Sequence, residues 1–328
     1  MTSTKSKILA LLEGNRGQAL SGTGIAKKLQ LSRSAVWKSI EELRKEGYGI
    51  HAVTNKGYSL SEDSDILSAE GLLLWARDPS ITPNKIHVFK SIGSTNQEAK
   101  KMAVAGAGHG TIVLAEEQTE GRGRLGRSFF SPRGTGLYMS VLLRPRGTAE
   151  EAALITTAAA VAVCRAISQV LKIEAGIKWV NDIFVGDRKV CGILTEAMSD
   201  IQTGVVETLI LGIGINVTTK PDHFPEDIQN TAGSLLRGQS TVLRNRLAAA
   251  ILDELLRLLP SLGSKELMDE YKTRSFIIGK QITVYRGTEV YDAKALDIDC
   301  KGALIIEKAD RSRETLRSGE VSIRPHRV

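Results

Sequence analysis

The sequence predicts an α+β multidomain chain: a small N-terminal helical domain with a β-hairpin, a central mixed-sheet α/β domain, and a small C-terminal β-barrel. Three observations carry this. The length of 328 residues suits two or three domains rather than one. The charge is segregated: residues 1–60 hold ten Lys and Arg against four Asp and Glu, or +6 of a formal +7 for the chain. The hydrophobic period also changes along the chain, from helical stripes, to alternating strands and helices, to short strands only after Phe276.

The first helix is expected over residues 5–13, where Ile8, Leu9 and Leu12 share a face. A second starts near Ser21 and buries Ile25 and Leu29. A third has a polar start at Ser32, an apolar stripe at Val36, Ile40 and Leu43, and Gly47 just beyond its end. Two short alternating runs then flank Thr54-Asn55-Lys56-Gly57, which reads as a hairpin. Three helices and a hairpin make a winged helix-turn-helix. Its third helix would be the recognition helix, offering Ser32, Arg33, Ser34, Trp37, Lys38 and Arg44, with Lys56 at the wing tip. A helical domain that packs on a protein partner is the other reading. The order of elements together with the charge favours DNA.

Domain boundaries are expected at 1–62, 63–83, 84–274 and 275–328. The acidic, serine-rich "SEDSD" leads into a linker helix, "ILSAEGLLLWARD", stopped by Pro79 and Pro83. The central domain opens as strand, turn and helix, with Ser94-Thr95-Asn96 at the helix start. Their side chains can bind a ligand or simply cap the helix. A strand from Thr111 to Glu116 then enters "TEGRGRLGRSFFSP".

This stretch contains a literal G-x-G-x-x-G through Gly121, Gly123 and Gly126. A dinucleotide loop needs a helix directly after the glycines. Here Pro132, Gly134 and Gly136 intervene and the strand "LYMSVLL" follows, so that reading fails. A Walker loop fails because no Lys-Ser/Thr follows the last glycine. What remains is a glycine-hinged loop carrying Arg122, Arg124 and Arg127, suited to phosphates or carboxylates.

The apolar run "EEAALITTAAAVAVCRAISQVLK" carries Thr156, Thr157 and Arg165 and reads as a core helix, not a membrane span. "GIKWVNDIFVGDRKVCGILTEA" reads as one hairpin turning at Gly186-Asp187-Arg188, with Lys178, Asn181, Asp182 and Lys189 in an apolar frame. Those lysines can pair with carboxylates structurally, or Lys189 can meet an anion. "TLILGIGINVTT" is a buried strand whose Gly212 and Gly214 mark a close approach. A further helix runs through Leu247, Ile251, Leu255 and Leu258. Cys164, Cys191 and Cys300 are far apart and read as buried, reduced thiols. With no leader pattern at the N-terminus, a cytoplasmic location and no membrane partner are expected.

Four motifs in this order, "STNQ" (94–97), "EEQTEGRGRLGRSFFSP" (116–132), "KWVNDIFVGDRKVCGIL" (178–194) and "GIGINV" (212–217), resemble the biotin–protein ligases. The resemblance runs along essentially the whole chain and is to the bifunctional class that doubles as biotin operon repressor. Many relatives have proline where Val180 stands, and tryptophan where Phe129 stands.

The resemblance implies that biotin's carboxylate attacks the α-phosphate of ATP, which enters with Mg²⁺, to give biotinyl-5′-AMP. A lysine of the biotin carboxyl carrier protein then displaces AMP. It also implies site residues: Ser94, Thr95, Asn96 and Gln118 around the ureido ring, and Arg122, Gly123 and Arg124 as the closing loop. Lys189 would meet the carboxylate and bridging phosphate, with Gly192, Gly212 and Gly214 letting the ligand lie on the sheet. Arg127, Asn216 and Arg324 would serve the nucleotide, and Asp182 would be the base. No metal ligands are assigned. The C-terminal barrel would be SH3-like. Biotinyl-5′-AMP would act as corepressor, favouring a homodimer that binds operator DNA. Alternatives are a lipoate-type ligase of the same architecture, a ligase with no regulatory DNA binding, and a sensor that only represses.

Overall fold

The computed structural model describes residues 3–145, 149–199, 206–236 and 244–323. The N-terminal part folds as α1 (Thr4–Glu13), α2 (Gly22–Leu29), α3 (Arg33–Lys45), β1 (Ile50–Val53) and β2 (Gly57–Leu60). Ser3, Ser21 and Ser32 cap the three helices, each accepting a backbone N–H three residues on. Ile8, Leu12, Ile25, Val36, Ile40, Leu43 and Leu60 form a core of their own. Gly57 is required at the wing base: at φ +111° a Cβ would lie 2.1 Å from the Leu20 carbonyl oxygen.

α4 (Ala69–Trp75) is shorter than expected and is not a free linker. It ends ahead of Pro79 because the Arg77 and Asp78 N–H groups donate to Asp253. Its Leu72 is buried in the main core.

The central sheet has the order β3 (Ile86–Phe89), β4 (Thr111–Ala115), β5 (Gly136–Leu143), β9 (Val206–Asn216), β8 (Arg188–Ser199), β7 (Asp182–Val185), β6 (Gly176–Lys178). Only β3 and β4 run parallel. Period-two alternation divides its side chains between two cores. Ile112, Val141 and Leu211 join the core of α6 (Ala149–Leu171) and α7 (Arg244–Leu258). Val113, Leu142 and Ile210 pack instead under Ala99 and Ala103 of α5 (Thr95–Val104). Helix α6 is long and apolar enough to cross a membrane, yet Ala158 to Cys164 is wholly buried in the protein.

The 176–197 stretch is not one hairpin but three strands, β6, β7 and β8. The first turn falls at Trp179 and Val180, whose peptide bond is cis, so Val180 lies in a turn and not in a strand frame. Helix α8 (Lys265–Arg274) has no counterpart in the expectations.

The C-terminal part is a five-stranded antiparallel sheet. It comprises β10 (Gln281–Arg286), β11 (Glu289–Ile298), β12 (Leu304–Lys308), β13 (Arg313–Leu316) and β14 (Glu320–Ile323). A bulge between Ala295 and Asp297 bends β11. β10 to β13 follow one another as a meander and β14 returns beside β10, the strand order of the small SH3-like domain expected here. The Trp179 indole donates to the Gly302 carbonyl across the junction with the central domain. Cys164 and Cys191 are buried and unbonded as expected, but Cys300 is exposed in a turn.

Candidate active site

Strand register places Gly212 opposite both Ser140 and Leu194, and Gly214 opposite both Tyr138 and Gly192. These residues share the sheet face on which α5 packs. Beyond the start of α5 the glycines leave the face open, and a cavity of about 700 Å³ forms there. Its other walls are the 117–135 loop, the β6–β8 meander, residues 228–231, and Phe276, Lys280 and β14 from the C-terminal sheet.

Part of the cavity wall is a neutral hydrogen-bonding cradle. Ser94 occupies the N-cap of α5 but makes no side-chain cap bond. Gln118 does that work instead: its Oε1 accepts the Thr95 N–H at 2.8 Å and the Thr95 hydroxyl at 3.0 Å. The Gln118 amide then donates to Ser131. Asn96 is buried; its Oδ1 accepts from Ser140 at 2.6 Å and its Nδ2 donates to Glu196 at 2.7 Å. Burial pushes the Glu196 pKa up, but hydrogen bonds from Lys100 and Asn96 and the charge of Lys100 outweigh it, holding the carboxyl below its usual range. Ser140, Glu196 and Lys100 were not foreseen. Ser140 and Glu196 each signalled only as a polar residue within an apolar strand, and Lys100 in a polar helix gave no signal.

The glycines serve the protein's own side chains as much as a ligand. A Cβ on Gly212 would meet the Asn96 oxygen at 2.2 Å, and one on Gly214 would meet the Phe129 ring at 2.6 Å. Gly192 faces Phe129 and Lys189 at ordinary contact distance. All three glycines line the cavity, and Gly212 in addition makes room for Asn96 and Gly214 for Phe129.

The cavity is also cationic. Arg122, Arg124, Arg127, Lys178, Lys189 and Lys280 line it against Asp182, Asp187 and Glu320. The glycine-rich stretch forms one short 3-10 turn at Arg124–Gly126 and then runs into β5, with no helix, so a dinucleotide fold is excluded. Arg124 donates to the Asn181 side-chain oxygen at 3.1 Å. Lys189 pairs with Asp182 at 2.7 Å, and exposed Arg127 pairs with Glu320 of β14 at 2.6 Å. Burial depresses the pKa of Lys178, whose ammonium lies over the Phe184 ring. Lys280 and Glu320 were missed because nothing in the C-terminal sequence shows that its sheet closes this cavity.

Asn216 does not line the cavity. Its amide donates to the Gly233 carbonyl at 3.1 Å, steadying the segment that follows Ile228, Asn230 and Thr231, while its buried Oδ1 has no partner among the described residues. Arg324 lies outside the described residues.

On the N-terminal domain, Arg33, Ser34, Trp37, Lys38 and Lys56 are exposed, Trp37 at 58%. Ser32 is exposed too, but its hydroxyl is occupied in capping α3. Arg44 is corrected: it donates to the Ile50 carbonyl and pairs with Glu41, so it braces the wing instead of presenting a free cation.

Three family models match the chain: a biotin/lipoate A/B protein ligase family over residues 88–216, a helix-turn-helix domain over 4–59, and a biotin protein ligase C-terminal domain over 277–324. The chain is 34% identical to the bifunctional ligase/repressor of Bacillus subtilis, covering 94% of this chain and 95% of that one. It is 30% identical to the bifunctional ligase/repressor of Escherichia coli, covering 97% and 96%. In structure it resembles the Aquifex aeolicus biotin protein ligase solved with biotin and ATP, with TM-score 0.62 and 28% identity over 73% of this chain and 98% of that one.

Proposed function

The chain belongs to the bifunctional ligase/repressor class of the biotin protein ligases, and from that premise we propose the following division of labour among its residues. The chain activates biotin with ATP to biotinyl-5′-AMP, transfers it to a lysine of an acceptor carboxylase protein, and binds DNA through its N-terminal domain. The acceptor is the biotin carboxyl carrier protein. Residues 1–62 form the DNA-binding domain, 63–83 the connection, 84–274 the ligase domain and 275–328 the C-terminal domain.

The observation that carries the site assignment is one cavity lined both by a neutral hydrogen-bonding cradle and by six cations. A urea has N–H donors and a carbonyl acceptor and no charge, which suits Ser94, Thr95, Asn96 and Gln118. Biotin's carboxylate and the ATP phosphates repel each other, so they need fixed cations between them. Lys189, Arg122 and Arg124 supply these. In the first step a carboxylate oxygen bonds to the α-phosphorus and the bond to the β-phosphate oxygen breaks, releasing pyrophosphate. Mg²⁺ arrives with ATP and neutralises phosphate charge. Among the described residues no cluster of three or more potential metal ligands is present, so the ATP phosphates would hold it.

Gly123 lets the arginine loop fold over the adenylate and exclude water. Arg127 serves the nucleotide, as does Arg324, and Asn216 does so indirectly, by holding the segment after Thr231 in place. In the second step the acceptor amine attacks the acyl carbon and AMP leaves. When Lys189 turns to the phosphate, Asp182 is freed to take the amine proton.

Exposed Arg33, Ser34, Trp37, Lys38 and Lys56 form the DNA face, with capping Ser32 at its edge. Adenylate binding favours a homodimer on operator DNA, with biotinyl-5′-AMP as corepressor. The chain works in the cytoplasm, where ATP and its acceptor are found. Pyrophosphate exchange tests the substrate assignment: biotin supports it and lipoate does not. Exchange with lipoate alone would overturn it.

A further inference from the structure

The 117–135 loop that walls the cavity springs from two roots, Glu116 after β4 and Gly136 opening β5. One side chain holds both. Arg244, the first residue of α7, is 1% exposed. Its Nη1 donates to the Gly136 carbonyl at 2.9 Å and pairs with Glu116 Oε2 at 2.9 Å. On its other edge, Nε donates to Asp65 Oδ2 at 2.8 Å and Nη2 to the Asp65 carbonyl at 2.6 Å. The Glu116 carboxylate also accepts the Leu67 N–H at 2.7 Å. Asn245 adds two bonds to the same segment, from the Ser68 N–H and to the Ile66 carbonyl.

Residues 65–68 are the chain leaving the DNA-binding domain. One residue earlier, Ser64 is bound by that domain: its carbonyl accepts from Arg16 at 2.8 Å and its hydroxyl from the Gly49 N–H at 3.1 Å. An unbroken series of bonds thus runs from the wing base through Ser64 and Asp65 to Arg244 and both loop roots. A buried guanidinium between two carboxylates has few alternative arrangements, since shifting it strands a desolvated charge. A shift at the loop roots is therefore transmitted, not absorbed.

We propose that Arg244 is a positioning residue that ties the two roots of the ligand loop to the segment leaving the DNA-binding domain, so that loop closure and the ordering of residues 61–68 are one coupled event. This rests on the reading of the cavity as the biotin and ATP site.

The test uses the full chain with biotin and ATP, following amide hydrogen exchange in 61–68 and 117–135 and the biotin KM and kcat of pyrophosphate exchange. In the unaltered protein ligand slows exchange in both segments. Asp65→Asn keeps the slowing at 117–135 and loses it at 61–68, with biotin KM within about threefold. Arg244→Lys keeps the charge but not the two-edged fork; biotin KM rises by about tenfold, the usual scale of site-to-site coupling, while kcat changes by about threefold or less.

Slowing at 61–68 that survives Asp65→Asn, or that is absent from the unaltered protein, would overturn the proposal. Loss in both segments would also overturn it, as would a KM for Arg244→Lys within about twofold of the unaltered value. If Arg244→Lys fails to fold, Asp65→Asn decides alone. Failure of the unaltered chain to exchange pyrophosphate with biotin would instead sink the reading of the cavity.

Discussion

Gly212→Ala probes the cradle with a single methyl group. The added Cβ would sit 2.2 Å from Asn96 Oδ1 and 2.9 Å from its Cγ, closer than non-bonded atoms approach. Asn96 is buried between β9 and the helix start, so it must leave its position. It then loses the bond from Ser140 at 2.6 Å and the bond to Glu196 at 2.7 Å. A neutral hydrogen bond contributes about 1 kcal/mol and one to a charged group about 1.5–3 kcal/mol, so the displacement costs roughly 3 kcal/mol. The binding-competent arrangement is then populated at about 1%, and biotin KM rises by about 100-fold. The ATP KM, set by the cationic side chains rather than by the cradle, stays within about threefold. Pyrophosphate exchange measures both constants, with circular dichroism to establish folding. In the double variant with Asn96→Ala the clash disappears, so it should be no worse than Asn96→Ala alone. A folded Gly212→Ala protein with biotin KM within about threefold of the unaltered enzyme would refute the reasoning.

Other outcomes follow from the same geometry. Lys189→Met removes the cation paired with Asp182 and should lower kcat of adenylation by about 10²–10³-fold with a smaller change in biotin KM, read by single-turnover kinetics. Arg33→Ala with Lys38→Ala should abolish measurable binding to duplex DNA at physiological salt and flatten the slope of log K against log salt by about 2 at low salt, while ligation stays within about twofold. Glu196 has a depressed folded pKa, so its stabilisation is present above the unfolded value of about 4.3 and is lost as pH falls through the folded one. Glu196→Gln should therefore be less stable than the unaltered protein at pH 7, with the gap closing below about pH 4 in urea melts.

The winged domain was legible because its signals are local: capping serines, a three-residue apolar stripe, and glycines after the first and third helices and in the wing. The rejection of the dinucleotide loop was legible for the same reason, since Pro132, Gly134 and Gly136 rule out a helix by themselves. The turn at Trp179 and Val180 was not, because it carries neither glycine nor proline and sits inside a strand-like apolar run. Gly212 announced a close approach without saying whose, and the approaching group is Asn96. Arg244 read as the polar start of an amphipathic helix. Its burial depends on Asp65 and Glu116, each more than a hundred residues away. Lys280 and Glu320 were hidden likewise, by a docking of sheet on domain that no local pattern encodes.

The central claim is that one cavity joins biotin to ATP and delivers it to a protein lysine. Its most direct test is intact-mass analysis of a biotin carboxyl carrier domain incubated with the full chain, ATP, Mg²⁺ and an equal mixture of biotin and lipoate. The account predicts one amide-linked biotin on one lysine, dependent on ATP and formed about 10²–10³-fold more slowly with Lys189→Met. A lipoyl adduct in place of biotin, or no adduct while the protein binds both biotin and ATP, would contradict it.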